Sequence, residues 1–305
     1  MNNQPLISII IPTFNRASLL PETLDSVVSQ TYRNWECLVI DDGSTENNWE
    51  ILTEYKNRDQ RFRIFKRENY HKIKGANACR NIGLQEAHGE FVIFFDSDDL
   101  MAENHVEMKF NAIHRTDFDF CVFKTAYFNN SKNIVPINYR GLYSLPITAE
   151  NYCTQKINWL TFDTIIISKL SKQIIFNEKL QANQEYNYYC KLTLESQNAE
   201  AFDEILTYKR FDENSIQGNL HKKQTYNEKL LIGFWETYKD IYSKANKVSK
   251  QYLLNRMIEI IYREKTLYQI SKHSLYKVLC KEFGIMKAIK KIFIIESRII
   301  KVVRI

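Results

Sequence analysis

Over its first 125 positions the chain alternates short apolar blocks with amphipathic stretches. The blocks at residues 6–11, 35–40, 61–66, 90–95 and 118–124 have the length and the β-branched and aromatic content of strands. Between them, residues 19–30, 48–58, 76–87 and 103–114 repeat their apolar positions at helical spacing. Regular alternation of this kind predicts a mostly parallel sheet with helices on both faces. In such sheets ligands bind beyond the carboxyl ends of the strands, so the residues after each strand carry the functional information. Past residue 125 the order is looser, with a strand near 164–168, a helix over 184–195 and a strand over 205–210. From about residue 221 the chain reads as helical, basic and poor in turn signals, and no internal repeat is visible.

Composition narrows this picture. The 305 residues are 44% hydrophobic and 26% charged, which suits one α/β domain of about 200–250 residues with an appendage. The first apolar run is too short for a secretory signal or a membrane span and reads as a buried strand. Six cysteines, at 37, 79, 121, 153, 190 and 280, are scattered singly, a usage that suits a reducing cytosol. Residues 221–305 carry 19 Lys and Arg against 7 Asp and Glu, a net of +12, whereas residues 1–220 are left at −6. Opposite charge points to different tasks for the two regions.

Polar clusters follow or precede four of the strands: Pro12-Thr13-Phe14-Asn15-Arg16, Asp41-Asp42-Gly43-Ser44, the stretch Gly75 to Gly83, and Asp96-Ser97-Asp98-Asp99. An acidic pair after a strand often only caps the next helix. Three carboxylates in four residues exceed what a cap needs, and behind the apolar run Phe91 to Phe95 their mutual repulsion is costly. A divalent cation would relieve it, and oxygen-only ligands indicate Mg²⁺ or Mn²⁺ held jointly with substrate phosphates. There is neither a P-loop signature nor a GxGxxG turn, so an NTPase nucleotide or a dinucleotide is not indicated. The six histidines, at 71, 88, 105, 114, 221 and 273, are isolated. Only His105 lies near the acidic cluster, and a packing role is expected for it rather than metal ligation.

Four segments, in this order, resemble the motifs of family 2 glycosyltransferases: Ile9-Ile-Ile-Pro-Thr-Phe-Asn15, Val39-Ile-Asp-Asp-Gly-Ser-Thr45, Ala78-Cys-Arg-Asn-Ile-Gly83 and Gly89-Glu-Phe-Val-Ile-Phe-Phe-Asp-Ser-Asp-Asp99. The likeness is dense over residues 6–100, fainter over 160–217 and absent beyond. It implies a GT-A fold and metal-dependent transfer of one sugar, with inversion, from a nucleotide sugar (a UDP-sugar first) to a glycan or lipid-linked acceptor. On that reading residues 1–220 form the catalytic domain, with a donor half of about 1–125 and an acceptor half of about 126–220. Pro12, Thr13 and Asn15 would line the base and ribose end of the donor pocket, Asp41 would bond the base, and Asn77 would help bind the donor. Arg80 would reach ribose and phosphates. Asp96-X-Asp98 resembles the family's Asp-X-Asp motif, with Asp96 on the ribose or a metal-bound water and Asp98 on the metal. The family's Gly-Glu-Asp corresponds here to Asn183-Gln184-Glu185; two of the three residues differ, but Glu185 keeps a carboxylate for the base. The base is favoured over a role that only complements a helix N-terminus, and Asp203 and Glu204 are weaker rivals because they lead into a strand. Arg210 or Lys209, in the segment 208–216 that resembles the one closing over the diphosphate, would add positive charge.

In residues 284–305, cations at 287, 290, 291, 298, 301 and 304 recur every three or four positions among Ile, Val, Met and Phe. A helix of that pattern lies on an anionic bilayer surface or packs against protein; it does not span. Residues 221–305 are thus expected to be a basic helical extension that holds a cytoplasmic enzyme at the inner membrane face. Nucleic acid is not an expected partner. No Gln-X-X-Arg-Trp motif or long apolar span suggests a processive synthase. The competing readings are a catalytically silent sugar-nucleotide-binding scaffold and a sugar-nucleotide nucleotidyltransferase, the latter lacking its Gly/Arg-rich loop after the first strand.

Overall fold

The computed structural model describes residues 4–128, 134–137, 139–210, 224–265, 267 and 269–299. The chain divides into two compact units, each gathered from three segments. The first comprises residues 1–147, 157–178 and 195–212, and the second 148–156, 179–194 and 213–305. The segments 148–156 and 179–194, inside the span 1–220, therefore cluster with the C-terminal helices.

The first unit is built on a sheet whose main path runs β3-β2-β1-β4-β8-β6-β9-β5, with β7 paired to β6. Its first four strands, β1 (Ile7–Thr13), β2 (Trp35–Asp41), β3 (Phe62–Lys66) and β4 (Phe91–Phe94), are mutually parallel. β8 (Thr164–Ile167) then lies antiparallel to both β4 and β6 (Phe120–Phe128). β9 (Ala199–Arg210) runs parallel to β6 and antiparallel to the two-residue β5 (Leu100–Met101), while β7 (Ile134–Pro136) pairs antiparallel with β6. Every residue of β1 and β2 is buried, so both faces of these strands are covered, which is why their sequence is apolar without alternation. Alternate residues face opposite layers. Ile9, Val39 and Ile93 join a core with α1 (Leu20–Val28), α2 (Asn48–Arg58) and α4 (His105–Thr116). On the other face Gly83 of α3 (Ala76–Glu86) sits so close to Ile10 that an added Cβ would come within 2.3 Å of its Cγ2.

The amino ends of these strands are tied by one buried carboxylate. Glu36 Oε1 accepts Ser8 Oγ at 2.6 Å and the His88 N–H at 2.6 Å, and Oε2 accepts Arg63 Nη1 at 2.7 Å. Ser8 Oγ in turn accepts the Gly89 N–H at 2.8 Å. No Cβ fits at Gly89, where it would lie 2.6 Å from the Ser8 nitrogen. One side chain thus gathers β1, β2, β3 and the turn into β4.

The second unit holds α5 (Ala149–Cys153), α7 (Gln184–Glu195) and four further helices, α8 (Gln224–Ile241), α9 (Lys247–Glu264), α10 (Lys272–Phe283) and α11 (Ile285–Ile299). α6 (Ser168–Gln173) belongs to the first. Ser271 and Asn246 cap α10 and α9 by accepting from the backbone of the third residue beyond, a standard N-cap arrangement.

Burial alone raises the Glu36 carboxyl, but the bonds from Ser8, the His88 N–H and Arg63 outweigh it and hold the group below its usual value. A lowered folded-state value contributes stability that is fully present above the unfolded carboxylate value, about 4.3, and is lost as pH falls from there through the folded value. Glu36→Gln is expected to lose about 1–3 kcal/mol at neutral pH. Its deficit against the parent should shrink below about pH 4.3. Denaturant melts between pH 7 and pH 3 read this directly, and a deficit constant over that range would contradict it.

Candidate functional site

The parallel register aligns the carboxyl ends of β1, β2 and β4: Thr13 is beside Asp41, Ile10 is beside Phe94, and the Phe95 N–H donates to Ile10 O at 2.9 Å. The polar clusters named from the sequence therefore emerge on one rim. Asn15 has φ +49°, a left-handed conformation that Asn tolerates better than most residues. It is held there by its N–H on Ser44 Oγ at 3.0 Å and its Oδ1 accepting the Thr45 N–H at 2.9 Å. Asn48 accepts the Arg16 N–H at 3.2 Å and donates to Thr13 Oγ1 at 3.1 Å. Asp41 turns inward on its own loop, accepting the Gly43 and Ser44 N–H groups at 3.2 and 3.0 Å and Ser44 Oγ at 2.5 Å. Gly43 lies at φ +83°, where side chains are strained.

A second layer comes from α3. Asp42 Oδ1 accepts Arg67 Nε at 2.6 Å and the Gly75 N–H at 3.1 Å, fixing the entry to that helix. Arg80 donates through Nη2 to Asp96 Oδ1 at 2.9 Å and through Nη1 to Asn77 Oδ1 at 3.4 Å. Asn77 and Asn81 bind the segment after α6, through Asn177 O at 2.8 Å and Phe176 O at 2.9 Å. Glu178 accepts from Asn81 and from Lys72, both at 2.9 Å.

Each carboxylate after β4 faces a different cation. Asp96 meets Arg80, Asp98 Oδ2 meets Arg16 Nε at 3.2 Å, and Asp99 lies 3.6 Å from Lys209 Nζ. Asp99 is buried; its Oδ1 accepts the Arg210 N–H at 2.9 Å, and Arg210 Nε donates to Asp98 O at 3.2 Å. Arg210 also pairs with Glu22. Burial pushes the Asp99 carboxyl upward against the pull of Lys209, and Asp96 and Asp98 add to the rise.

Of the residues singled out from sequence, Pro12, Thr13, Asn15, Asp41, Asn77, Arg80, Asp96, Asp98 and Arg210 all fall on this rim of the first unit. Sequence reading assigned no role to Arg16, Asp42, Arg67 or the stretch Phe176 to Glu178; their partners are remote in the chain, and only the basic and amide side chains hinted at them. Residues 211–216, read as part of a closing segment, and His221 lie outside the described residues. Glu185 is the second residue of α7, in the second unit. The preceding Asn183 has φ +57°, and Gly233 of α8 lets that turn approach, since a Cβ there would come within 2.9 Å of Asn183 Cβ. Glu185 is half-buried at the positive end of a helix. Asp203 is exposed and paired with Lys124, and Glu204 is exposed. His105 is fully buried with Nδ1 on Leu206 O at 2.8 Å, and burial drives its imidazole toward the neutral form.

Among the described residues no three His, Cys, Asp or Glu side chains converge on a point that a metal ion would occupy. A protein-only cage is thus not present there. Asp96 and Asp98, open on one side, are what a Mg²⁺- or Mn²⁺-type ion needs when phosphates supply further oxygens. The donor set fits such an ion.

Sheet order, helix placement and this rim define a GT-A glycosyltransferase. The chain belongs to glycosyl transferase family 2, whose model matches residues 8–177. It is similar to the glycosyltransferase GlyG of Streptococcus pneumoniae serotype 4 (30% identity over 50% of this chain and 47% of that protein). It is also similar to WfgD of Escherichia coli, a UDP-Glc:α-D-GlcNAc-diphosphoundecaprenol β-1,3-glucosyltransferase (35% identity; 41% of this chain, 48% of that one). The chain therefore spans less than half the length of these relatives. Among solved structures, TarS of S. aureus in complex with UDP-GlcNAc superposes with a TM-score of 0.64 at 18% identity, covering 98% of this chain and 91% of that one. A mannosyltransferase from Pyrobaculum calidifontis, in complex with GDP-Man and Mn²⁺, gives 0.57 at 14%, covering 98% and 86%. At these identities the two structures speak to the fold.

Proposed function

We propose that the protein transfers a single sugar, with inversion at the anomeric carbon, from a UDP-sugar to a hydroxyl of a glycan or lipid-linked acceptor in cell-surface polysaccharide or glycolipid assembly. The observation that carries the reading is the paired set of open carboxylates, Asp96 and Asp98, on the same rim as Thr13, Asp41 and Arg80. WfgD, whose name carries a UDP-linked glucose and a diphosphoundecaprenol-linked acceptor, favours uridine and a lipid diphosphate. Residues 1–220 supply the catalytic part on this reading, and residues 221–305 the basic helical extension.

Pro12, Thr13, Asn15 and Asp41 hold the base and ribose, Asn77 and Arg80 reach toward ribose and phosphates, Asp96 holds ribose hydroxyls or a metal-bound water, and Arg210 adds charge beside the diphosphate. Asp98 would ligate Mn²⁺ or Mg²⁺, and such an ion, held with the diphosphate, would neutralise negative charge on the leaving group. The acceptor oxygen attacks the anomeric carbon on the face opposite the diphosphate. Its proton passes to Glu185 as the bond to the leaving phosphate oxygen breaks.

The helical extension holds the enzyme on an anionic membrane. Its last described helix, α11, turns Ala288 and Ile295 inward but leaves Met286 81% and Phe293 72% exposed, with Ile285 and Ile289 beside them. Lys287 and Lys290 are exposed next to this stripe. No helix among the described residues is long and apolar enough to cross a membrane, so the expected mode is shallow insertion of one face. Each cation near an anionic surface contributes about 1 kcal/mol. Lys301 and Arg304 lie outside the described residues.

In Asp98→Asn, titration calorimetry with UDP should lose most of the Mn²⁺-dependent part of the affinity; unchanged affinity refutes the metal assignment. Glu185→Gln should lower turnover roughly 10²–10⁴-fold with donor affinity nearly intact. Full activity, or loss of donor binding instead, moves the base to Asp203 or Glu204. In vesicle co-sedimentation, the chain should bind phosphatidylglycerol-containing vesicles but not neutral ones, and less in high salt. The exposed-site variant Met286→Ser/Ile289→Ser/Phe293→Ser should not bind. Equal sedimentation of parent and variant, or no binding by the parent, overturns the membrane assignment.

A further inference from the structure

Of the three ion pairs after β4, two have one partner almost fully buried, and in the third both partners are open to solvent. Arg80 is almost fully buried, bonds Asn77 as well as Asp96, and lies over the Phe176 ring at 5.4 Å. Lys209 faces a buried Asp99 whose other oxygen is taken by the Arg210 N–H. Arg16 and Asp98, by contrast, keep side-chain exposures of 30% and 34%. The Arg16 backbone is fixed, with its N–H on Asn48 Oδ1 at 3.2 Å and its carbonyl accepting the Leu19 and Leu20 N–H groups at 2.9 and 2.8 Å. Among the described residues its guanidinium makes one other hydrogen bond, Nη1 to Asn15 O at 3.2 Å. The side chain can therefore rotate away while the loop stays in place.

The Nε–H of Arg16 points at Asp98 Oδ2, one of the oxygens that a divalent ion would need. A cation on that carboxylate and a guanidinium at hydrogen-bond distance from it repel one another. They compete for Oδ2, and each cation weakens the other's hold on the carboxylate as a whole. A metal arriving alone must displace Arg16 without offering it a new anion. A metal arriving with a nucleoside diphosphate brings excess negative charge, and a displaced guanidinium is a good partner for phosphate oxygens. We propose that Arg16 is a resident counter-cation that guards Asp98, so that this site takes up its divalent ion together with the nucleoside diphosphate and only weakly before it. The inference rests on Asp98 being the metal ligand and adds the order in which that ligand becomes available.

The test follows free Mn²⁺ by electron paramagnetic resonance as the ion is titrated into the full chain, with and without saturating UDP. An exposed ion pair is worth roughly 0.2–1 kcal/mol, so Arg16→Gln should tighten nucleotide-free Mn²⁺ binding up to about fivefold. The gain should be absent in Arg16→Gln/Asp98→Asn and largely absent in Arg16→Lys, which keeps a cation. The mutual enhancement of Mn²⁺ and UDP should fall by at least the same factor in Arg16→Gln, since coupling between two ligands is reciprocal. Thermal melts confirm that each variant is folded. Nucleotide-free affinity that is unchanged or weakened in a folded Arg16→Gln, while Asp98→Asn abolishes UDP-dependent Mn²⁺ binding, overturns the guard and leaves the metal site standing. If Asp98→Asn leaves UDP-dependent Mn²⁺ binding intact, the metal assignment itself fails, and the guard with it.

Discussion

A strand covered on both faces has no place along its length for an uncompensated charge, and β1 and β2 are covered at every residue. In these two strands charged groups are therefore confined to the ends. The amino ends carry a single buried carboxylate, Glu36, matched by Arg63 and two further donors. The carboxyl ends carry Asp41, Asp42, Asp96, Asp98 and Asp99, and their charge is the condition around which the rest of the first unit is arranged. The compensating cations come from remote stretches: Arg16 after β1, Arg67 after β3, Arg80 on α3 and Lys209 on β9. The rim is electrostatically complete only when those stretches have reached their places, so assembling the fold and assembling the site are one event.

This arrangement also divides labour among the carboxylates. Asp42 is committed to the entry to α3 and Asp99 to the end of β9, while Asp41 braces its own turn at the base end of the pocket. What remains turned toward solvent is Asp96 and Asp98. A row of acids that looks redundant in the sequence separates into scaffold and site once its partners are known, and burial draws the line between them.

The parallel half was legible because its signal is local. The long apolar runs gave β1 to β4 to within a residue or two, and the helical spacing gave α2 and α3 almost to the residue. The motifs beyond the strands could be placed because strand direction puts them on one rim. What was not legible lacks a local signature. β5 and β7, of two and three residues, and the short α5 and α6 are below the length at which a period can be read. The antiparallel insertion of β8 between β4 and β6 is a choice of partner, which composition does not encode. Lys109 of α4 is fully buried and donates to the Phe162 and Thr164 carbonyls at 2.5 and 3.3 Å, an environment that no local pattern signals. The grouping of residues 148–156 and 179–194 with the C-terminal helices is equally non-local.

The pairing of β6 with β9 has a consequence for how the protein is made. β6 ends at residue 128, but its long parallel partner begins only at residue 199. A nascent chain that has emerged as far as β8 already holds most of the sheet's residues, while one edge of β6 has nothing to pair with. Unpaired strand edges are templates for association with other chains, and pairings that wait on distant sequence slow folding. The interval during which the ribosome delivers the segment up to β9 is thus the period of greatest exposure to aggregation. Slowing translation there, or depleting chaperones that shield open edges, would reduce the yield of soluble protein without altering the stability of the finished fold.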